Sequence, residues 1–486
     1  MTVPAATIIG GGLAGSEAAW QLAERGVEVT LVEMRPVVRT PAHQTDRLGE
    51  MVCSNTFKSV EIGNAHGLLK AELRVLGSML LECADEARVP GGSALAVDRN
   101  VFSEAVHARV TAHPRITVVR EEAVALPEVG IVATGPLTSD RLAAAIRERL
   151  GTDALAFFDA IAPVVSADSL DHDQLYALSR YGKGEGDDYL NAPLTRSEYE
   201  AFIDALVAGD QFSGHEFDAV PYFEGCLPIE EMAKRGRETP RFGPMKPVGL
   251  RDPRTGREPY AVVQLRREDR AGRMWNLVGF QTRLRIPEQK RIFTTIPGLA
   301  EAEFLRFGSI HRNSYLNSPA SLGPALTARD DDRLFFAGQL TGVEGYTESL
   351  ATGLIAGINL ARRLAGQDIR VPPPTTMLGG LYRYLREADP KHFQPMNANF
   401  GLVDEVDEVD REPAHDRHRE RGTREAIGSP GDPIATDASR PRADAGTGTS
   451  VSQTRRRTSR AEKKAAKKER LAERALSDMA AWNSGL

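Results

Sequence analysis

The spacing of apolar positions changes several times along the chain, and each change marks an element. Ala6 to Ile9 is a nearly unbroken apolar run, as in a strand buried on both faces. Gly10 to Gly15 interrupts it, and from Ser16 to Arg25 apolar residues return at helical spacing. Val27 to Glu33 (VEVTLVE) then predicts a second strand, rich in β-branched residues. A helical pattern runs from Leu68 to Val89 through Leu69, Leu73, Leu76 and Leu80, and Ile131 to Gly135 (IVATG) predicts another buried strand. Between about Leu155 and Ser309 the chain becomes rich in aromatics, proline and arginine, with strand-like runs such as Ala261 to Leu265. Arg333 to Gly338 (RLFFAG) resumes the buried-strand pattern, and Tyr346 to Ala365 reads as a helix. The expectation is an α/β fold: a discontinuous Rossmann-like domain made of residues 1–154 and 310–403, interrupted by a mixed α/β domain at 155–309.

Composition fits a soluble, cytoplasmic protein, at 41% hydrophobic and 26% charged residues. No apolar run approaches the roughly 18 residues of a membrane span, and no signal-peptide pattern opens the chain. A net charge of −6 confines any nucleic-acid site to a local patch. Three widely spaced cysteines, Cys53, Cys83 and Cys226, give neither a disulfide framework nor a metal site, so no metal is expected. Residues 404–486 read as a low-complexity tail. Its first fifty residues have the composition of disorder, and Arg455 to Arg474 carries ten basic and three acidic residues, read as solvated helix or disorder in preference to an RNA-touching arm.

Gly10-Gly11-Gly12-Leu13-Ala14-Gly15 fits G-x-G-x-x-G after a strand and at the start of a helix, where backbone N–H groups and the helix dipole receive a pyrophosphate. Glu33 ends the second strand, placed for a ribose hydroxyl. Three later features favour FAD over NAD. Ala133-Thr134-Gly135 resembles the second strand-end glycine of two-dinucleotide flavoproteins. Phe335 to Gln339, with Gly338, resembles the late strand that approaches the flavin. The helix opening at Gly345-Tyr346 would point its N-terminus at the flavin's pyrimidine end.

The cysteine motifs are more specific. Arg47 to Ser59 (RLGEMVCSNTFKS) and Tyr222 to Gly249 (YFEGCLPIEEMAKRGRETPRFGPMKPVG), with the glycine-rich start and FAGQLTGVEGYTES, closely resemble the TrmFO family of methylenetetrahydrofolate- and FAD-dependent tRNA (uracil-5-)-methyltransferases. The resemblance spans about residues 4–400. It implies C5 methylation of a T-loop uridine in tRNA to ribothymidine, with methylenetetrahydrofolate giving the one-carbon unit and NAD(P)H reducing FAD. Chemistry agrees, because uracil C5 becomes nucleophilic only after a nucleophile adds at C6, and a thiolate is suited to that. Cys226 precedes Pro228-Ile229-Glu230-Glu231, a helix start that would favour its thiolate, and Cys53 lies among Arg39, His43, Arg47 and Lys58. The reading favours Cys226 as nucleophile and Cys53 as the group that removes the C5 proton, though the reverse stays open. Cys83, inside an apolar helical pattern, reads as inert core.

By the same resemblance His311 would stack on the pterin of the folate. The eight basic residues between Lys234 and Arg257, with Phe242 among them, are a candidate RNA contact. Two other readings remain. One is the related FAD-dependent enzymes that modify wobble uridines, which are longer and carry a C-terminal helical domain. The other is an RNA-binding flavoprotein without transferase activity.

Overall fold

A computed structural model describes residues 3–40, 42–151, 155–212, 227–404 and 460–486. Two hydrophobic cores organise it. The first surrounds a six-stranded sheet in the spatial order Thr327–Ala328, Asp331–Phe336, Gly130–Val132, Ala5–Ile9, Glu28–Glu33, Ile116–Arg120. All neighbours are parallel except the edge pair formed by the first two. Ile8 stands opposite Leu31 on one side and Ile131 on the other, and Ile131 faces Phe335. These four side chains are fully buried, which is why apolar runs rather than alternating patterns encode the sheet. The first strand has neighbours on both sides, so the strand order reverses there and opens a crevice at its carboxyl end.

The helix Leu13–Glu24 leaves that crevice and packs on the late helix Tyr346–Leu364. The two backbones come so close that a Cβ at Gly353 would lie 2.1 Å from the Ala14 carbonyl oxygen, and one at Gly357 would lie 2.8 Å from that of Ala18. Only small residues on both helices permit this approach. The helix expected from Leu68 to Val89 is broken in two, Ala65–Val75 and Met79–Glu86, because Gly77 adopts φ +75° between them. Buried carboxylates fix other helix starts. Glu17 accepts from Leu80 N at 3.0 Å and from Ser78 Oγ at 2.9 Å, and Glu72 accepts from Met377 N at 2.7 Å and Leu378 N at 2.9 Å. Burial pushes the Glu72 carboxyl up to about 8 in spite of those bonds.

A two-stranded antiparallel ribbon, Leu155–Ile161 with Ser309–Tyr315, leads out to the second core and back. That core lies on an antiparallel sheet in the order Tyr176–Ala177, Tyr189–Leu194, Ala261–Arg267, Met274–Leu277, Val164–Ser166, Phe304–Arg306. The buried rings of Phe202, Phe280 and Phe293 gather against it.

Residues 405–459 lie outside the described residues, and so does the expectation of disorder there. The basic segment is helical where it is described and mostly exposed from residue 465 to 470, as a solvated helix requires, but the helix it opens docks further on. Arg460–Asn483 is a helix, and Leu471, Ala472, Ala475, Met479 and Trp482 bury one face of it in the first core. Its basic residues hid an apolar stripe at helical spacing, with successive steps of 1, 3, 4 and 3 residues. Beyond the stripe, Asn483 Nδ2 donates to Val75 O at 3.0 Å and Arg362 donates to Leu486 O at 2.7 Å. Among the described residues, no helix is long and apolar enough to cross a membrane. Leu471→Ala and Met479→Ala should each lower stability by about 2–4 kcal/mol in urea denaturation, and an unchanged midpoint in both would show that the helix does not dock.

Candidate active site

At the crevice the glycine turn has the shape its sequence requires. Gly10 sits at φ +103°, and a Cβ there would meet Ala133 O at 2.6 Å. A Cβ at Gly15 would strike Gly10 O at 1.8 Å, so this glycine lets strand and helix close on one another. Gly12 differs: nothing lies within 4 Å of where its Cβ would be, and its side of the turn is open. Leu13 and Ala14 form the buried first turn of the helix, whose N-cap, Gly12, offers no side-chain cap to the leading N–H groups. Glu33 Oε2 accepts from Gly11 N at 2.8 Å, and its Oε1 is paired with Arg35 Nε at 2.8 Å. Burial alone would raise this carboxyl, but the Arg35 bond and charge outweigh it and hold it below the usual range. Gly10, Gly12, Glu33, Arg35, Ala133 and Thr134 line an open cleft of ≈ 530 Å³. Its open glycine, uncapped helix N-terminus and ionised strand-end carboxylate suit an adenine dinucleotide.

The later elements flank the same end of the sheet. Gly135, φ +66°, starts a short turn beyond the strand Gly130–Val132. Gly338 N donates to Thr352 Oγ1 at 2.7 Å, and Gln339 Nε2 donates to Glu344 Oε2 at 2.7 Å. Gly345, φ +119°, turns the chain into the late helix, where Tyr346 is the first residue. The Tyr346 hydroxyl accepts from Cys53 N at 2.8 Å and from Ser54 N at 3.1 Å, so this helix start and the Cys53 loop are one unit. Burial, reinforced by Cys53, pushes the Tyr346 phenol up and keeps it protonated.

The inserted domain holds that loop from the other side. Arg306 Nη2 donates to Cys53 O at 3.1 Å. Asn55 Nδ2 donates to Arg267 O at 2.8 Å and Asn55 Oδ1 accepts from Arg266 Nε at 2.9 Å. Close by, Arg99 pairs with Glu268 at 2.8 Å across the domain boundary. Burial and the neighbouring Arg99 charge lower Arg306 to about 10. Glu50, Met51, Arg99, Glu268, Leu305 and Arg306 are among the residues around a second cleft of ≈ 780 Å³ at this junction. Arg306 and Arg99 both act on Cys53. Lys58 also acts on a cluster under the late helix. There Glu348 pairs with His66 at 3.1 Å and accepts from Ala398 N at 2.9 Å, while Lys70 Nζ donates to Phe57 O and His66 O. Burial lowers Lys70 to about 7. Burial would raise Glu348, but the His66 bond and the Lys58 and His66 charges prevail and hold it at about 2.

Arg306, Arg99, Glu268, His66 and Glu348 were missed by the sequence reading, because their partners lie far away in the chain. Cys83 is buried, as its apolar pattern predicts, and burial pushes its thiol up to about 12. Cys226 lies outside the described residues; the helix Ile229–Arg235 begins three residues beyond it. His311 lies on the ribbon strand, paired with Asp159 in the register. Several cations of the basic loop are taken up internally, which narrows the expected RNA contact. Arg237 pairs with Asp204, Arg254 with Asp252, and Arg241 with Glu238 while stacking over Tyr260.

The family model for Glucose inhibited division protein A matches residues 5–368. A protein of Geobacter sulfurreducens named Methylenetetrahydrofolate--tRNA-(uracil-5-)-methyltransferase TrmFO is 58% identical over 400 residues, covering 82% of this chain and 92% of that one. The chain belongs to the TrmFO family, within the wider GidA group. A like-named protein of Symbiobacterium thermophilum is 56% identical over 407 residues, covering 83% of this chain and 91% of its own. Among solved structures, Aquifex aeolicus GidA (form II crystal) superposes with a TM-score of 0.60 at 16% identity, over 79% of this chain and 67% of that one. At that identity the likeness concerns the fold, which is the GidA-like arrangement of a Rossmann-type domain and an insertion.

Two expectations follow from the geometry. Gly12→Val should fold normally yet bind FAD weakly or not at all, because its side chain enters open space, whereas Gly15→Val should fail to fold. Flavin absorbance and a thermal melt separate the two, and a Gly12→Val protein with full flavin content would contradict the placement of the pyrophosphate. Glu348 has a depressed pKa, so its contribution to stability is present above pH 4.5 and lost as pH falls towards 2. The stability difference between wild type and Glu348→Gln should therefore be largest above pH 4.5 and shrink on acidification, and a difference that grew with acid would refute it.

Proposed function

We propose that this protein methylates C5 of a tRNA uridine, taking the one-carbon unit from methylenetetrahydrofolate. Membership of the TrmFO family supports the reaction class. The observation that carries the reading to particular residues is the fixation of the Cys53 loop between Tyr346, at the start of the late helix, and Arg306 of the inserted domain. Bound FAD, reduced by a pyridine nucleotide, supplies the reducing equivalents that complete the methyl group.

The residues of the chain perform the remaining tasks. Gly10 to Gly15 and the helix N-terminus behind them receive the dinucleotide's pyrophosphate, and Glu33 is placed for its ribose. Cys226 adds to uracil C6, which places electron density on C5 and allows the new carbon–carbon bond to form there. Cys53 takes the C5 proton once that bond exists, the folate nitrogen leaves the new carbon, and the Cys226–C6 bond breaks as reduction completes the methyl group. The Cys53 backbone is anchored at both N–H and carbonyl, so the thiol reaches from a fixed loop rather than a mobile one. His311 is assigned to the pterin face. Neither a metal nor a membrane has a part in this reading. The wobble-uridine alternative gains less support, because the relatives at 56–58% identity are named for uracil-5 methylation.

The test is substitution of the two thiols. Cys226→Ala and Cys53→Ala should each abolish tRNA methylation, by at least about 10³-fold if covalent activation is removed, while both retain FAD and its reduction by NAD(P)H. With tRNA carrying 5-fluorouracil, only the nucleophile variant should fail to form a covalent adduct. Full activity in both variants would eliminate covalent catalysis by these residues.

A further inference from the structure

Tyr181 is a bulky residue held in the left-handed region, at φ 59° and ψ 26°, and yet 65% exposed. Backbone strain of this kind persists only where surrounding contacts impose it, and it collects at sites of function. Here the contacts are explicit. Tyr181 N donates to Gly249 O, and the ring lies against Gly249, where a Cβ would approach Tyr181 Cε1 to 2.6 Å. Gly249 itself sits at φ +81°. Next to it, Arg180 is pinned to the carbonyl oxygens of Lys246 and Val248 and to Gln264 Oε1. The strain thus props an aromatic ring on the surface of the loop that follows Phe242, which is itself 75% exposed. Burial cannot explain either ring.

We infer that Tyr181 is a stacking platform for an unpaired base of the bound RNA, with Lys246 and Arg251 receiving the adjoining phosphates. The inference rests on the tRNA substrate proposed above. Stacking needs a rigid π-face open to solvent, and a ring fixed from behind by a glycine loses little freedom when a base covers it. The charge near it suits RNA more than an acidic or apolar partner. Lys246 and Arg251 are exposed, and among the described residues neither has an ion-pair partner. Acidic neighbours are partly occupied: Glu61 pairs with Lys183, and Glu258 accepts from Gly249 N at 3.1 Å. Glu185 and Asp187 are exposed and would repel a backbone that ran past their loop, so the strand must leave towards Lys246. The patch also lies where the domains meet, since Lys183–Glu61 and Asp188 Oδ2–Gly92 N at 2.8 Å both join the inserted domain to the first. The segment from Cys53 to Glu61, which includes the strand Thr56–Ser59, runs to this same boundary.

Tyr181→Gly tests this, because it removes the ring and relieves the left-handed strain at once. A ring with a purely structural role predicts a lowered melting temperature and unchanged RNA affinity. The stacking role predicts the opposite: a melting temperature no lower than wild type, intact FAD and NAD(P)H oxidation, and tRNA bound about 5- to 100-fold more weakly in fluorescence anisotropy. Tyr181→Phe should bind tRNA within about twofold of wild type, since the π-face remains. Wild-type affinity in Tyr181→Gly overturns the inference while leaving the methyltransferase reading in place. Failure of the wild-type protein itself to bind tRNA overturns both. A change of oligomeric state in Tyr181→Gly at unaltered tRNA affinity would assign the ring to a protein contact and also overturn it.

Discussion

The approach of the helix Leu13–Glu24 to the late helix Tyr346–Leu364 is the contact on which the site depends. Gly353 and Gly357 bring the second helix against the carbonyl oxygens of Ala14 and Ala18, closer than any side chain would permit. One consequence is that the first turn of each helix faces the same end of the parallel sheet. The glycine fingerprint then opens on one side of the crevice and Tyr346 on the other. A larger residue at either glycine would push the late helix outward and carry Tyr346 away from the backbone of Cys53 and Ser54. The packing of two helices and the position of the Cys53 loop are in this sense one constraint.

The Cys53 loop in turn joins the domains. It belongs to the first domain by sequence but is bonded by Arg306, Arg266 and Arg267 of the second, and by Tyr346 of the first. Each bond is worth about a kilocalorie or so in isolation. Their joint effect is to remove freedom from a segment whose thiol, in the proposed reaction, meets the substrate at a defined distance. Beneath it, buried Glu348 and Lys70, with half-buried His66 and Lys58, form a charged layer that supports the start of the late helix. Such groups are costly to bury, and here Glu348 is bonded to His66 and Lys70 to backbone carbonyls.

Much of this was legible in the sequence. The first strand, turn, helix and second strand are local and periodic, and Gly10 to Gly15 states its own geometry. Phe335 to Gln339 and Tyr346 could be placed because buried strands and long amphipathic helices carry their own signal. The partners of Cys53 could not be placed, since Arg306 is 253 residues away and its loop has no distinctive pattern. The docking of the final helix was not legible because its seven basic residues dominate the composition, while five buried positions decide its fate. Tyr181 carried no signal at all, since its strain arises from a loop almost seventy residues further on.

The account's central claim is that the carbon added to uracil comes from a folate and is reduced through a flavin held in the glycine-lined crevice. The most direct measurement follows label from methylenetetrahydrofolate carrying a radioactive methylene group into unmodified tRNA, with FAD and NADPH present. The account predicts labelled ribothymidine that disappears when NADPH is omitted and that S-adenosylmethionine cannot replace. Methylation supported by S-adenosylmethionine, or labelled tRNA formed equally well without any reductant, would contradict it.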